Sequence, residues 1–133
     1  MTVEQAVEIA TRALEGVEDK HGEPVLQHVL RVVEAVPPEA RVVAALHDVL
    51  EDSDMTAADL DLPEPELEAV KLLTRGEDEP YEEYIERIAT AEGEARRLAR
   101  IVKLADLHDN LGRLTPDLEH LRERYERAIR RLE

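Results

Sequence analysis

Seven residues between Val42 and Leu50 constrain the fold more than any others. Val42, Val43, Ala44, Ala45, Leu46, Val49 and Leu50 are apolar nearly all round a helical wheel. Such a helix has no face to offer water, so the rest of the chain must wrap it. The flanking segments suit that task, because their apolar residues recur with helical spacing and no segment alternates with period two over strand length. The expectation is all-α: a single compact helical bundle spanning residues 1–133, with neither an internal repeat nor a low-complexity linker. A chain of 133 residues buries roughly two thirds of its unfolded surface, enough for a core without disulfides.

Local signals place the elements. Thr2 and Gln5 form a capping-box pattern ahead of Val3, Ala6, Val7, Ala10, Ala13 and Leu14, a first helix ending near Gly16. After the turn at Lys20-His21-Gly22-Glu23, Pro24 suits the first position of a second helix through Val25, Leu26, Val29, Val32, Val33 and Val36. The apolar helix then starts at Pro38. Thr56 to Leu60 reads as a short capped turn, Pro65 to Leu73 as a helix and Glu77 to Pro80 as a loop and candidate mobile lid. Tyr81 to Ala89 is helical, Gly93 breaks it, and Ala95 to about Leu111 forms a long helix. Thr115-Pro116-Asp117 supplies an N-cap, a first-turn proline and a first-turn acid for a last helix to Leu132.

Composition excludes several functions. Residues 1–93 carry 24 acidic against 7 basic side chains, and residues 94–133 carry 8 against 10, giving a net charge of -15 overall. A nucleic-acid partner needs a basic face and stacking aromatics; this chain has three Tyr and no Phe or Trp. With no cysteine, thiolate chemistry is absent and any metal must be held by His, Asp or Glu. The start MTVEQAVEIA is acidic and amphipathic, unlike a secretory signal, and no apolar stretch is long enough to span a membrane. The expectation is a cytoplasmic protein without membrane or nucleic-acid partners. Most of the acidity reads as a solvated surface.

Some carboxylates do not fit that reading. His47-Asp48-Val49-Leu50-Glu51-Asp52 interrupts the most apolar helix, where an unpaired charge costs several kcal/mol by order of magnitude. His47 and Glu51, and likewise Asp48 and Asp52, are four apart and share helix faces. Asp106 follows the apolar run from Ile101, and His28 lies on the stripe of Val25 and Val32. Three core-facing helices thus each offer a ligand. Two imidazoles and two carboxylates suit a divalent ion such as Mn, Fe, Zn or Mg and leave positions open for water and a substrate oxygen.

His28, His47-Asp48 and Asp106 together resemble the H, HD, D signature of the HD-domain phosphohydrolases, closest to the hydrolase domain of the RelA/SpoT-type alarmone enzymes and their small stand-alone relatives. The second motif there is HDxxED, here His47 to Asp52. Gly22-Glu23-Pro24 followed by three residues and then His28, and Val102-Lys103-Leu104-Ala105-Asp106 with Asn110 four residues on, extend the likeness over about Ala10 to Tyr125. The resemblance implies an HD-type bundle with a Mn2+ site made by His28, His47, Asp48 and Asp106. It implies that Glu51 and Asp52 orient or deprotonate the attacking water. It also implies a nucleotide substrate, (p)ppGpp losing its 3'-pyrophosphate, with Lys20 meeting phosphate, Asn110 the sugar or phosphate region and Tyr125 the nucleotide.

Departures from the pattern fall on the substrate side. Asp19-Lys20 stands where the alarmone hydrolases usually carry Arg-Lys, Val25 where they carry an aromatic, Val29 where Pro is usual and Leu14 in place of an early His. An HD phosphohydrolase of another nucleotide, either a nucleoside monophosphate or a dinucleotide such as NADPH, and a non-catalytic metal- or nucleotide-sensing module therefore stay open. Oligomeric state is not legible. His21 is expected to face solvent in its turn and His120 to lie on the surface. His108 and Asp109 are expected to be exposed, Asp109 being the better placed of the two to back a ligand. Arg122, Arg124, Arg127, Arg130 and Arg131 are expected to pair with acids along the last helix.

Overall fold

The first helix begins where side chains satisfy its free amides. In the computed structural model, which describes residues 1–133, Thr2 Oγ1 accepts from Gln5 N at 3.1 Å and Gln5 Oε1 accepts from Thr2 N at 2.9 Å, closing the capping box of α1 (Val3–Ala13). The chain then makes a tight reversal in which Asp19 N donates to Glu23 O and Val25 N to Val17 O. Gly22 sits there at φ 78, a conformation that favours glycine. Pro24, at ψ 129, stands as the N-cap of α2 (Val25–Ala35) instead of occupying its first position.

The single central helix expected from Pro38 to Leu50 is divided. A 3-10 turn at Pro38–Ala40 leads into α3 (Arg41–Leu46), and α4 (Val49–Asp52) follows after a tight joint at His47-Asp48. Two features make the joint: His47 N reaches only Ala44 O, at 3.4 Å, and the His47 ring donates from Nδ1 to the same carbonyl at 2.6 Å. Val43, Ala44, Ala45, Leu46 and Val49 are nevertheless wholly buried, as their apolar run demands.

A capped 3-10 turn at Ala57–Asp59 precedes α5 (Glu64–Leu73), α6 (Tyr81–Thr90) and α7 (Gly93–Gly112). Gly93 does not simply end α6; it starts α7, at φ 75. The last helix also begins later than expected. Thr115 Oγ1 donates to the Asp117 carboxylate and caps no amide, so Pro116–Leu121 winds as a 3-10 turn before α8 (Arg122–Leu132). There is no sheet, only an isolated bridge between Glu18 and Pro24.

Two helices share the centre. α3 packs on α1, α2 and α5, while α7 packs on α5, α8, α2 and α6 and touches α3. One continuous core of 31 buried residues joins them. No helix is long and apolar enough to cross a membrane. Leu14 occupies that core, 1% exposed at the end of α1. Leu14→Ala is expected to cost about 2–5 kcal/mol, measured by denaturant unfolding.

Candidate metal centre

Where α2, the α3–α4 joint and α7 meet, four polar side chains converge inside the apolar core. His28 comes from α2, His47 and Asp48 from the joint, and Asp106 from α7. Helical spacing forces His28 and Asp106 inward, since each shares its stripe with buried valines or leucines. His28, His47 and Asp106 are 3–4% exposed. One ligand atom from each of the four lies within 4.8 Å of all the others. Asp106 Oδ1 is 2.7 Å from His28 Nε2 and 3.3 Å from His47 Nε2, and Asp48 Oδ2 is 3.3 Å from His47 Nε2.

The hydrogen bonds behind the imidazoles fit this set to a cation. His47 Nδ1 meets the Ala44 carbonyl and His28 Nδ1 meets Asp109 Oδ2, both at 2.6 Å. Neither partner has a proton to give, so each Nδ1 holds one and each Nε2 is left to face the carboxylates. Four acceptor atoms then crowd together unless protons or a metal ion neutralise them. Two nitrogens and two oxygens make a donor set for a divalent ion. Without one, burial opposes charge on His47, but Asp48 and Asp106 outweigh it and hold the ring up at about 9. His28 is likewise raised, burial being overcome by Asp106.

Asp106 is divided between two tasks. Its Oδ1 faces the imidazoles, while Oδ2 accepts from Lys103 Nζ at 2.8 Å. Burial opposes the carboxylate, yet the Lys103 ammonium and the two imidazoles hold its pKa well below the usual range. Lys103 is itself buried, with Nζ 4.9 Å from the centre of the Tyr84 ring, whose hydroxyl donates to Leu73 O. The lysine was legible as a charge inside an apolar run, three residues before an acid.

A cavity of about 340 Å3 opens above the four ligands. Glu51, Asp52, Lys20, Asn110 and Tyr125 all line it, so they and the four ligands face one space. Glu51 accepts from the backbone amide of Arg75, tying α4 to the segment after α5. Crowding by protein raises its pKa. Asp52, partly desolvated and beside Asp48, is pushed up to about 6. Lys20 is exposed, its Nζ 5.6 Å from the centre of the Tyr125 ring. The Tyr125 and Tyr81 hydroxyls are buried without a partner.

Several expectations need correction. The His21 side chain is 4% exposed rather than facing solvent, because the Asp19–Glu23 reversal folds it against the cavity wall. Burial and the nearby Arg113 lower its pKa. Asp109 is not exposed either; only 17% of its side chain is, and it accepts from His28, Arg31 and Arg113. These donors overcome burial and hold it at about 2. His108 and His120 are on the surface. Arg122 and Arg127 pair along their own segment, with Glu119 and Glu123, but Arg131 crosses to Glu86 of α6 and Arg124 lies over the Tyr81 ring. The candidate lid is anchored: Glu79 takes Arg87 through two bonds of 2.9 Å, and Arg75 Nε donates to its carbonyl. Arg75, Tyr81, Tyr84 and Arg113 are cavity residues that the motifs had not identified; for Arg113, the four-residue spacing from Asp109 was the available signal.

The raised imidazoles set a pH dependence. His47 titrates near 9 in the folded, metal-free protein against 6.5 ordinarily, so its stabilisation is full below about 6.5 and is lost as pH rises through about 9. Denaturant midpoints of the metal-free protein should fall over that window. Divalent-ion affinity, measured by calorimetry, should rise over the same window as the competing protons leave.

No protein-family model matches the chain, and no curated protein matches it in sequence. Among solved structures, one described as a metazoan ortholog of SpoT that hydrolyzes ppGpp and plays a role in starvation responses superposes with a TM-score of 0.78. The match is 22% identical and covers 98% of this chain and 85% of that one. This chain is therefore folded as that hydrolase is, along essentially its whole length.

Proposed function

We propose that the protein is a metal-dependent nucleotide pyrophosphohydrolase that acts on (p)ppGpp, releasing pyrophosphate and leaving GDP or GTP. The observation that carries this reading is the convergence of His28, His47, Asp48 and Asp106 at the base of a cavity that also holds Glu51, Asp52, Lys20, Asn110 and Tyr125. The fold shared with a protein described as hydrolysing ppGpp supports the same substrate.

His28, His47, Asp48 and Asp106 would hold the ion, Mn2+ in this proposal. When bound, it supplies Lewis acidity toward a phosphoryl oxygen and lowers the pKa of water. Asp52 is the proton acceptor: it lines the cavity beside the ligand Asp48, where a carboxylate can take a proton from water. Glu51, fixed through the Arg75 amide, orients rather than shuttles. Lys20 is exposed at the rim and meets phosphate, while Tyr125 brings a ring and an unpaired hydroxyl to the nucleotide. Asn110, anchored through its Oδ1 by Arg113, faces the sugar or phosphate region.

A second reading keeps the reaction and changes the nucleotide. Position 19 is an acid, and the planar cation beside it, Arg113, is spent on Asp19 at 2.9 Å, on Asp109 and on Asn110, so no free guanidinium is left there to stack on a base.

The deciding experiment supplies Mn2+ and ppGpp and measures pyrophosphate and orthophosphate separately. Pyrophosphate release is expected, with Asp52→Asn slower by about 10²–10⁴-fold and Asp106→Ala retaining no metal. Cleavage of another nucleotide with ppGpp left intact would overturn the substrate and keep the reaction class. Metal-dependent nucleotide binding without turnover would overturn catalysis itself. Nucleotide affinity is also expected to collapse when the ion is removed, because carboxylates outnumber Lys and Arg on the cavity wall and two of those cations are already paired.

A further inference from the structure

Asp109 and Arg113 belong to neither the ligand set nor the catalytic pair, yet they connect the ligands to the turn that carries Lys20. His28 Nδ1 donates to Asp109 Oδ2 at 2.6 Å, and the same oxygen accepts from Arg113 Nε at 2.9 Å. Arg113 Nη1 then donates to Asp19 Oδ2 at 2.9 Å, and its Nη2 donates to Asn110 Oδ1 at 2.8 Å. All three guanidinium nitrogens are thus engaged on a side chain 13% exposed. A second strut runs alongside, with Arg31 Nε donating to Asp109 Oδ1 at 2.8 Å and Arg31 Nη2 lying 2.7 Å from Glu23 Oε1.

At the far end, Asp19 closes the turn. Its Oδ1 accepts from His21 N at 2.9 Å and Glu23 N at 3.1 Å, so the carboxylate that receives Arg113 also sets the backbone carrying Lys20 and His21. Both residues line the cavity. Charged donors and acceptors alternate along the path, and in a poorly solvated setting such charge-assisted bonds hold their partners firmly.

We propose that Arg113 is a positioning residue that couples occupancy of the His28–His47–Asp48–Asp106 site by a divalent cation to the shape of the Asp19–Glu23 turn. The inference rests on the metal-binding part of the preceding reading and on neither substrate nor turnover. An ion on His28 Nε2 fixes the ring plane, and the ring plane fixes the direction of Nδ1–H. Asp109 follows that hydrogen, Arg113 follows Asp109, and Asp19 follows Arg113. The turn that presents Lys20 to an anionic ligand is then held more firmly when the ion is in place. A frame of purely structural ion pairs would hold the turn equally with or without the ion.

The test is amide hydrogen exchange of residues 17–25 in the full chain, with and without Mn2+, beside calorimetric titration of Mn2+ alone. In the wild type the ion should slow exchange at the turn by about fivefold or more. Arg113→Gln should lose that protection, and by reciprocity should bind Mn2+ more weakly by the same factor. Asp19→Asn keeps an oxygen for the His21 and Glu23 amides while removing the ion pair, so it tests the link without dismantling the turn; it should lose the protection too. Arg113→Lys should not restore it, since one ammonium cannot span Asp109, Asn110 and Asp19 together. Ion binding without protection in the wild type, or equal protection in Asp19→Asn, would overturn the proposal. If the wild type binds no Mn2+, calorimetry reports that directly, and the metal reading falls together with the coupling built on it.

Discussion

Asp106 is the carboxylate on which the centre of the molecule depends. It is 4% exposed, and it receives Lys103 through one oxygen and faces two imidazoles with the other. A bare carboxylate at that depth is unfavourable by several kcal/mol by order of magnitude, so its three cationic or protonatable neighbours are a condition of the fold. Those neighbours come from α2, α3's end and α7, the helices whose packing encloses the site. Stability and chemistry therefore draw on the same atoms. A bound ion relieves the crowding that the metal-free protein answers with protons.

The uneven acidity looks different once the site is in view. The excess of carboxylates is spread over the first 93 residues, but Asp48, Glu51, Asp52 and Asp106 gather on one cavity with Lys20, Arg75, Lys103 and Arg113. Of those cations, Lys103 is committed to Asp106 and Arg113 to Asp19 and Asp109. Lys20, and Arg75 with no carboxylate partner, are left for an incoming anion. An acidic protein can thus bind a phosphate-rich ligand, provided that a divalent ion tips the local balance.

Much of the fold was legible from short-range signals. The Thr2–Gln5 capping box, the Thr56–Asp59 capped turn and the apolar stripe of α2 each depend on residues three or four apart, and each formed as its spacing dictated. The errors have local physical causes. His47 donates to Ala44 O from its own ring and tightens the helix into a joint; Thr115 gives its hydroxyl to Asp117 and leaves the last helix uncapped. In both cases a side chain competed with the backbone for a partner, which periodicity alone does not register.

By itself, the sequence determined the all-helical class, the buried apolar segment around Val43 to Val49, and which ionisable residues interrupt apolar stripes. Those properties follow from hydrophobic spacing along one helix at a time. Tertiary structure decided that His28, His47, Asp48 and Asp106 bring one ligand atom each to within 4.8 Å of one another, since they are up to 78 residues apart in the chain. It also decided that the His21 side chain is covered and that Asp109 sits behind His28 and is joined to Arg113, which reaches Asp19, 94 residues from it in the chain. No helical repeat can specify such partners, because a hydrogen bond between distant residues depends on how packed helices cross.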